Sequence, residues 1–192
     1  VQSWLSDLGQ QLGLPQQQTD QARNNALAAM RTALKQARIQ GRITLSGYEG
    51  SELIVARLLI ECGADVRYVG SACPSTSWNQ ADAQWLEAHG AQVQFRASLE
   101  QDLAAVEAYQ PQLAIGTTPV VQRAKQLAIP ALYFTNLISA RPLMGVAGVG
   151  SLVQVVQSAI GNQGRFVAMR EFFDQVGDGD NAGVWDTLPK AR

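Results

Sequence analysis

The chain has 192 residues, with 15 Lys and Arg against 16 Asp and Glu, a formal charge of −1 and 46% hydrophobic residues. That length suits one domain with an appendage, or two small domains, and can bury a real core. The balanced charge, without a basic run, excludes a nucleic-acid footprint. No apolar run reaches the roughly 18–20 residues of a membrane span, and the apolar fraction is too high for disorder.

Residues 1–38 read as helical and peripheral. "VQSWLSDLGQQLGL" is a short amphipathic piece ended by Pro15, "PQQQT" a polar link, and "ARNNALAAMRTALKQARI" spaces Ala, Leu and Met at helical intervals. The N-terminus lacks the basic and apolar regions of a secretory signal. A start at Val1 rather than Met fits a processed product or a piece of a longer protein.

From Arg42 short β-rich runs alternate with helical ones. The runs "RITLS" (42–46), "VRYVG" (66–70), "VQFR" (93–96), "LAIGT" (113–117) and "ALYFT" (131–135) are separated by helical text. Intervals of roughly 20–25 residues mean βαβ units and a parallel sheet. Gly63 and Gly90 each close a helix and precede the next strand, as C′ glycines do. Ser77 with Gln80 and Ser98 with Gln101 fit capping boxes, and Thr118 before Pro119 fits an N-cap. The expected fold is α/β, a Rossmann-like doubly wound parallel sheet of about five strands with N-terminal and C-terminal helices. Residues 39–176 form this domain, after the helical segment 1–38 and before a C-terminal tail at 177–192.

Beyond the fifth strand, "TNLISARPLMG" (135–145) reads as a loop leading into the helical stretches "SLVQVVQSAIGN" and "RFVAMREFFDQV". In such sheets ligands bind outside the carboxyl ends of the strands, so the loops 47–52, 70–77, 96–100, 116–121 and 135–145 are the candidate edge. A dinucleotide fingerprint needs G-x-G-x-x-G after the first strand. The first turn instead reads G-Y-E-G-S, with Glu49 where phosphate would approach, and the spacing in "GVAGVG" (145–150) is reversed. Gly148 and Gly150 have a purely structural reading, positive φ or close packing where a loop meets a helix. Arg141 is the only charge between Lys125 and Arg165. It must meet a carboxylate, a carbonyl, solvent, or an anionic or planar ligand.

Cys62, Cys73 and His89 are the only cysteines and histidine. They cannot supply the roughly four soft ligands of a zinc or iron–sulfur site. His89 reads as a surface histidine near a helix C-terminus.

The strings "GRITLSGYEGSELIVARLLIECGADVRYVG", "RASLEQDLAAVE", "LAIGTTPVVQRAKQLAIPALYFTNLISARPLMGVAGVGSLVQVVQSAIGN" and "AGVW" cover most of residues 41–186. They resemble the C-terminal part of the Y subunits of chlorophyllide a reductase. More distantly, the layout resembles dark-operative protochlorophyllide reductase and nitrogenase component-one subunits. The resemblance implies an iron–sulfur oxidoreductase of bacteriochlorophyll biosynthesis that reduces the ring-B double bond of chlorophyllide a. It implies a Z subunit as partner in a heterotetramer, an ATP-dependent iron–sulfur reductase (X subunit) as electron donor, and a cytoplasmic location. A [4Fe–4S] cluster belongs to the full complex, with its ligands outside this chain, so the fragment alone is expected to be inactive. The substrate-binding candidates it suggests are Thr117, Thr118, Asn136, Arg141 and Met144; no catalytic residue and no metal ligand is assigned. The alternative is a stand-alone Rossmann-like module for a nucleotide or a small anion.

Overall fold

In a computed structural model of the chain, residues 2–36, 38–139 and 145–177 are described. Arg141, Met144 and the tail 178–192 lie outside the described residues. Two helices, α1 (Gln2–Gln11) and α2 (Gln16–Gln36), precede an alternation of strands and helices. These are β1 (Arg42–Gly47), α3 (Glu52–Glu61), β2 (Asp65–Ser71), α4 (Gln80–Ala88), β3 (Gln92–Phe95), α5 (Leu99–Tyr109), β4 (Leu113–Gly116), α6 (Thr118–Gln126) and β5 (Ala131–Tyr133). Three helices follow: α7 (Phe134–Ser139), α8 (Gly145–Gly161) and α9 (Gln163–Gly177).

The five strands are all parallel and lie in the order β3-β2-β1-β4-β5. Strand order reverses between β1 and β4, which puts the switch point at the middle of the sheet. β1 alternates its side chains between the faces. Ile43 and Leu45 join the larger core with Leu53, Leu59, Leu86, Leu152 and Val156 from α3, α4 and α8. On the opposite face, α5 and α6 pack Val106, Val120 and Ala124 against Ala114 of β4. α2 lies against α8, and its Ala33 and Leu34 touch the larger core.

Several local readings hold. Gly63 (φ 98°) and Gly90 (φ 86°) sit past helix ends in the left-handed backbone that glycine favours. Ser98 and Gln101 form a reciprocal capping box at α5.

Others need correction. α4 is capped at Asn79, not Ser77, because the Asn79 side chain closes its own turn with Thr76 N and Pro74 O. The N-cap of α6 is Thr117, one residue before the expected Thr118. "PQQQT" is not a link: Gln16 opens α2 directly after Pro15, whose carbonyl accepts the first helical hydrogen bond from Thr19 N. The fifth strand stops at Tyr133; α7 takes Phe134 from the expected strand end and residues 135–139 from the expected loop. Gly148 and Gly150 are helical residues of α8, which begins earlier than expected, so positive φ does not explain them.

Candidate functional site

The two strands at the switch point both end in glycine, and the reason is steric. A Cβ on Gly47 would lie 2.6 Å from Glu52 Oε1 and 3.0 Å from Phe134 Cδ1. One on Gly116 would lie 2.6 Å from Val120 Cγ1 and 2.8 Å from Ser46 Oγ. The glycines let Glu52, Phe134, Val120 and Ser46 pack closely at these strand ends, and a crevice of about 460 Å³ lies at the same edge of the sheet.

Three aromatic residues, Tyr48, Tyr133 and Phe134, supply its apolar lining. Its polar groups are Thr117 and Thr118 at the start of α6, and Thr135 and Asn136 on α7. No charged side chain lines it among the described residues. Thr117 caps α6 with extended backbone (ψ 171°), but its hydroxyl makes no capping bond. Thr118, Thr135 and Asn136 are exposed, whereas Phe134 is buried and anchors α7 to the core. The Tyr48 hydroxyl stands 3.5 Å from Thr135 Oγ1, a long contact spanning the crevice.

The crevice therefore gathers three of the five sequence candidates: Thr117, Thr118 and Asn136. Arg141 and Met144 fall outside the described residues. Tyr48 and Tyr133 were not singled out from the sequence. Tyr48 carried a signal, being the first residue after the central strand, but a lone tyrosine in a turn is not distinctive.

Beside the crevice, the Glu52 carboxylate is fully buried. It accepts hydrogen bonds from Glu49 N (2.7 Å), Gly50 N (3.0 Å) and Ser71 Oγ (2.9 Å). A dinucleotide fold uses the amides of its first strand–helix turn for phosphate. Here the chain's own carboxylate takes two of those donors. Glu49 is exposed, and its backbone N–H, not its charge, takes part.

On the other face of the sheet, Asp102 of α5 is 8% exposed and accepts from Tyr68 Oη at 2.8 Å. Burial raises its pKa, and the Tyr68 bond opposes that rise. The Ser46 hydroxyl also favours the ionised form, although it makes no well-formed hydrogen bond. Burial and the same carboxylate push the Tyr68 phenol upward, so it stays protonated.

The residues present do not fit an iron–sulfur cluster. Cys62 caps α3 at the strand N-terminal edge, where its carbonyl accepts from Ile39 N. Its thiol is buried and pushed up to about 11, against the thiolate form a metal takes. Cys73 follows β2 at the opposite edge of the sheet. Among the described residues, no group of three His, Cys, Asp or Glu side chains is placed to hold a metal ion. His89 is an exposed C-cap of α4, with Nδ1 2.7 Å from Trp85 O and its ring stacked on the Trp85 indole at 3.7 Å.

Comparison with known proteins now places the chain. The model of the nitrogenase component 1 type oxidoreductase family matches residues 1–160, and the chain belongs to that family. Within it, the chain is 60% identical over 190 residues to the chlorophyllide reductase 52.5 kDa chain of Cereibacter sphaeroides. It is 57% identical over 187 residues to the chain of the same name from Rhodobacter capsulatus. These matches cover 99% and 97% of this chain but 38% of each relative, so the chain spans less than two-fifths of their length. A solved structure described as nitrogenase Cp1 at pH 6.5 shares the fold, with a TM-score of 0.55 at 16% identity. That match covers 99% of this chain and 40% of the other.

Proposed function

We propose that this chain is a part of a chlorophyllide reductase subunit, and that its switch-point crevice forms one wall of the pigment site. The observation that carries the reading is the 60% identity, over nearly the whole chain, to a chlorophyllide reductase 52.5 kDa chain. The reaction is the reduction of the ring-B double bond of chlorophyllide a, taking a chlorin to a bacteriochlorin. A [4Fe–4S] cluster supplies the electrons, fed by an ATP-dependent iron–sulfur reductase, the X subunit. Its ligands lie outside this chain, in the assembly with the Z subunit.

The chemistry of the crevice supports the role. Chlorophyllide is a wide apolar plane with a propionate at its rim. A site for it needs apolar faces and a few placed polar groups. Tyr48, Tyr133 and Phe134 offer the first; Thr117, Thr118 and Asn136 offer the second. The N-terminal end of α6 favours a carboxylate over a cation. Among the described residues, no Asp, Glu, His or Lys lines the crevice, and the role proposed for this chain is to bind and orient. Arg141 and Met144 remain proposed contacts on the segment that joins α7 to α8. The fit of Glu52 into the first-turn amides disfavours the competing reading of a nucleotide module.

The test is reconstitution. The full-length polypeptide, with its partner subunits, the reductase component and ATP, is mixed with chlorophyllide a under anaerobic conditions, and the pigment spectrum is followed. Conversion to the bacteriochlorin spectrum is expected. An assembly that leaves the pigment unchanged, with a chain that binds nucleotide tightly, would overturn the reading.

A further inference from the structure

Glu52 opens α3, where an acidic residue is ordinarily solvated and merely favoured by the helix dipole. This one is 0% exposed. A carboxylate taken out of water persists only where charged hydrogen bonds replace its hydration. Three donors do so, two from the turn after β1 and one from the end of β2. The carboxylate thereby ties the ends of two adjacent strands to one turn. Gly47 leaves room for it, and Gly50 (φ 83°) bends the turn so that both amides face inward.

The turn held in this way carries Tyr48. That ring is 60% exposed, so packing does not fix it, and its place follows from the turn that carries it. Its ring lines the crevice, and among the described residues its hydroxyl reaches Thr135. A tyrosine presented from a rigid turn gives a large apolar face at a small entropy cost, because only two side-chain torsions remain to be ordered.

We propose that Tyr48 forms the β1-side wall of the pigment site and that Glu52 is the positioning residue that holds it there. The inference rests on the pigment reading above. It adds a specificity element: the turn that would cradle a phosphate instead presents an aromatic plane, and the crevice favours a flat macrocycle over a nucleotide.

The experiment is equilibrium titration of the purified full-length assembly with chlorophyllide a, followed by pigment fluorescence, without ATP or the reductase component. Tyr48→Ala is expected to raise the Kd about tenfold, the loss that corresponds to an aromatic contact of about 1.4 kcal/mol. Tyr48→Phe keeps the ring and recovers most of that loss. Glu52→Gln weakens binding to a similar extent. The double variant Tyr48→Ala/Glu52→Gln binds no more weakly than Tyr48→Ala alone, because Glu52 acts through Tyr48. A purely structural Glu52 would give additive losses, and that result overturns the proposal. If Glu52→Gln does not assemble, Ser71→Ala removes one donor of the same carboxylate and enters the same cycle. Wild-type affinity in Tyr48→Ala overturns this inference alone. A wild-type assembly that binds no chlorophyllide overturns both the inference and the reading beneath it.

Discussion

Two buried carboxylates show how differently the same group behaves at the residue scale. Glu52 meets three donors, while Asp102 meets the Tyr68 hydroxyl and a poorly placed serine. The pKa of Asp102 is raised, chiefly by burial, so the folded state holds a proton that the unfolded chain releases near pH 4. Between that pH and the raised folded value the unfolded state binds fewer protons, and this group removes stability as pH rises. Asp102→Asn cannot titrate and keeps an oxygen for Tyr68. Its melting temperature relative to wild type is therefore expected to rise from pH 4 to pH 7. A difference that stays constant over that range would contradict the assignment.

Neither carboxylate was legible in the sequence. Glu52 reads as an ordinary acid at a helix start, and suspicion fell on Glu49, the residue nearer the apparent phosphate position. What buries Glu52 is the return of its side chain over Gly47 toward Ser71, nineteen residues away in sequence. Local pattern carries no trace of such a contact. The places of Thr117 and Asn136 were legible for a different reason: the crevice of a parallel sheet follows from strand order, Thr117 directly follows β4, and Asn136 lies three residues past the end of β5.

Elements were read from punctuation, and punctuation succeeds where one local cause decides the outcome. Ser98 and Gln101 cap α5 because both partners lie within one turn. Removing the cap with Ser98→Ala should cost about 1 kcal/mol in denaturant unfolding. Gly63 closes α3 with positive φ, and a Cβ there would sit 3.2 Å from the Ile39 carbonyl oxygen. Gly150, which looked equally structural, lies inside α8 with open space around it. Gly63→Ala should therefore destabilise by about 1 kcal/mol or more, while Gly150→Ala should stabilise by about 0.5–1 kcal/mol. The same sign for both would refute the structural distinction between them. At α7 the sequence misleads, because "LYFT" has strand propensity throughout, whereas the chain turns helical at Phe134, which is buried in the larger core with Leu137.

For the whole molecule, the strand order puts β1 and β4 side by side, and a crevice lies between the β1 turn, α6 and α7. The thiols lie at opposite edges of that sheet, away from any shared site. Among the described residues, the crevice offers aromatic and hydroxyl groups and no group placed to hold a metal ion.

The most direct test of this account is the affinity of the full-length assembly for chlorophyllide a, measured side by side for wild type and for the crevice variant Thr117→Val/Asn136→Leu. Saturable binding by the wild type and a loss of about tenfold in the variant, the equivalent of about 1.4 kcal/mol in lost polar contacts, is the predicted result. Binding that the variant leaves unchanged would contradict the placing of the pigment at this edge of the sheet.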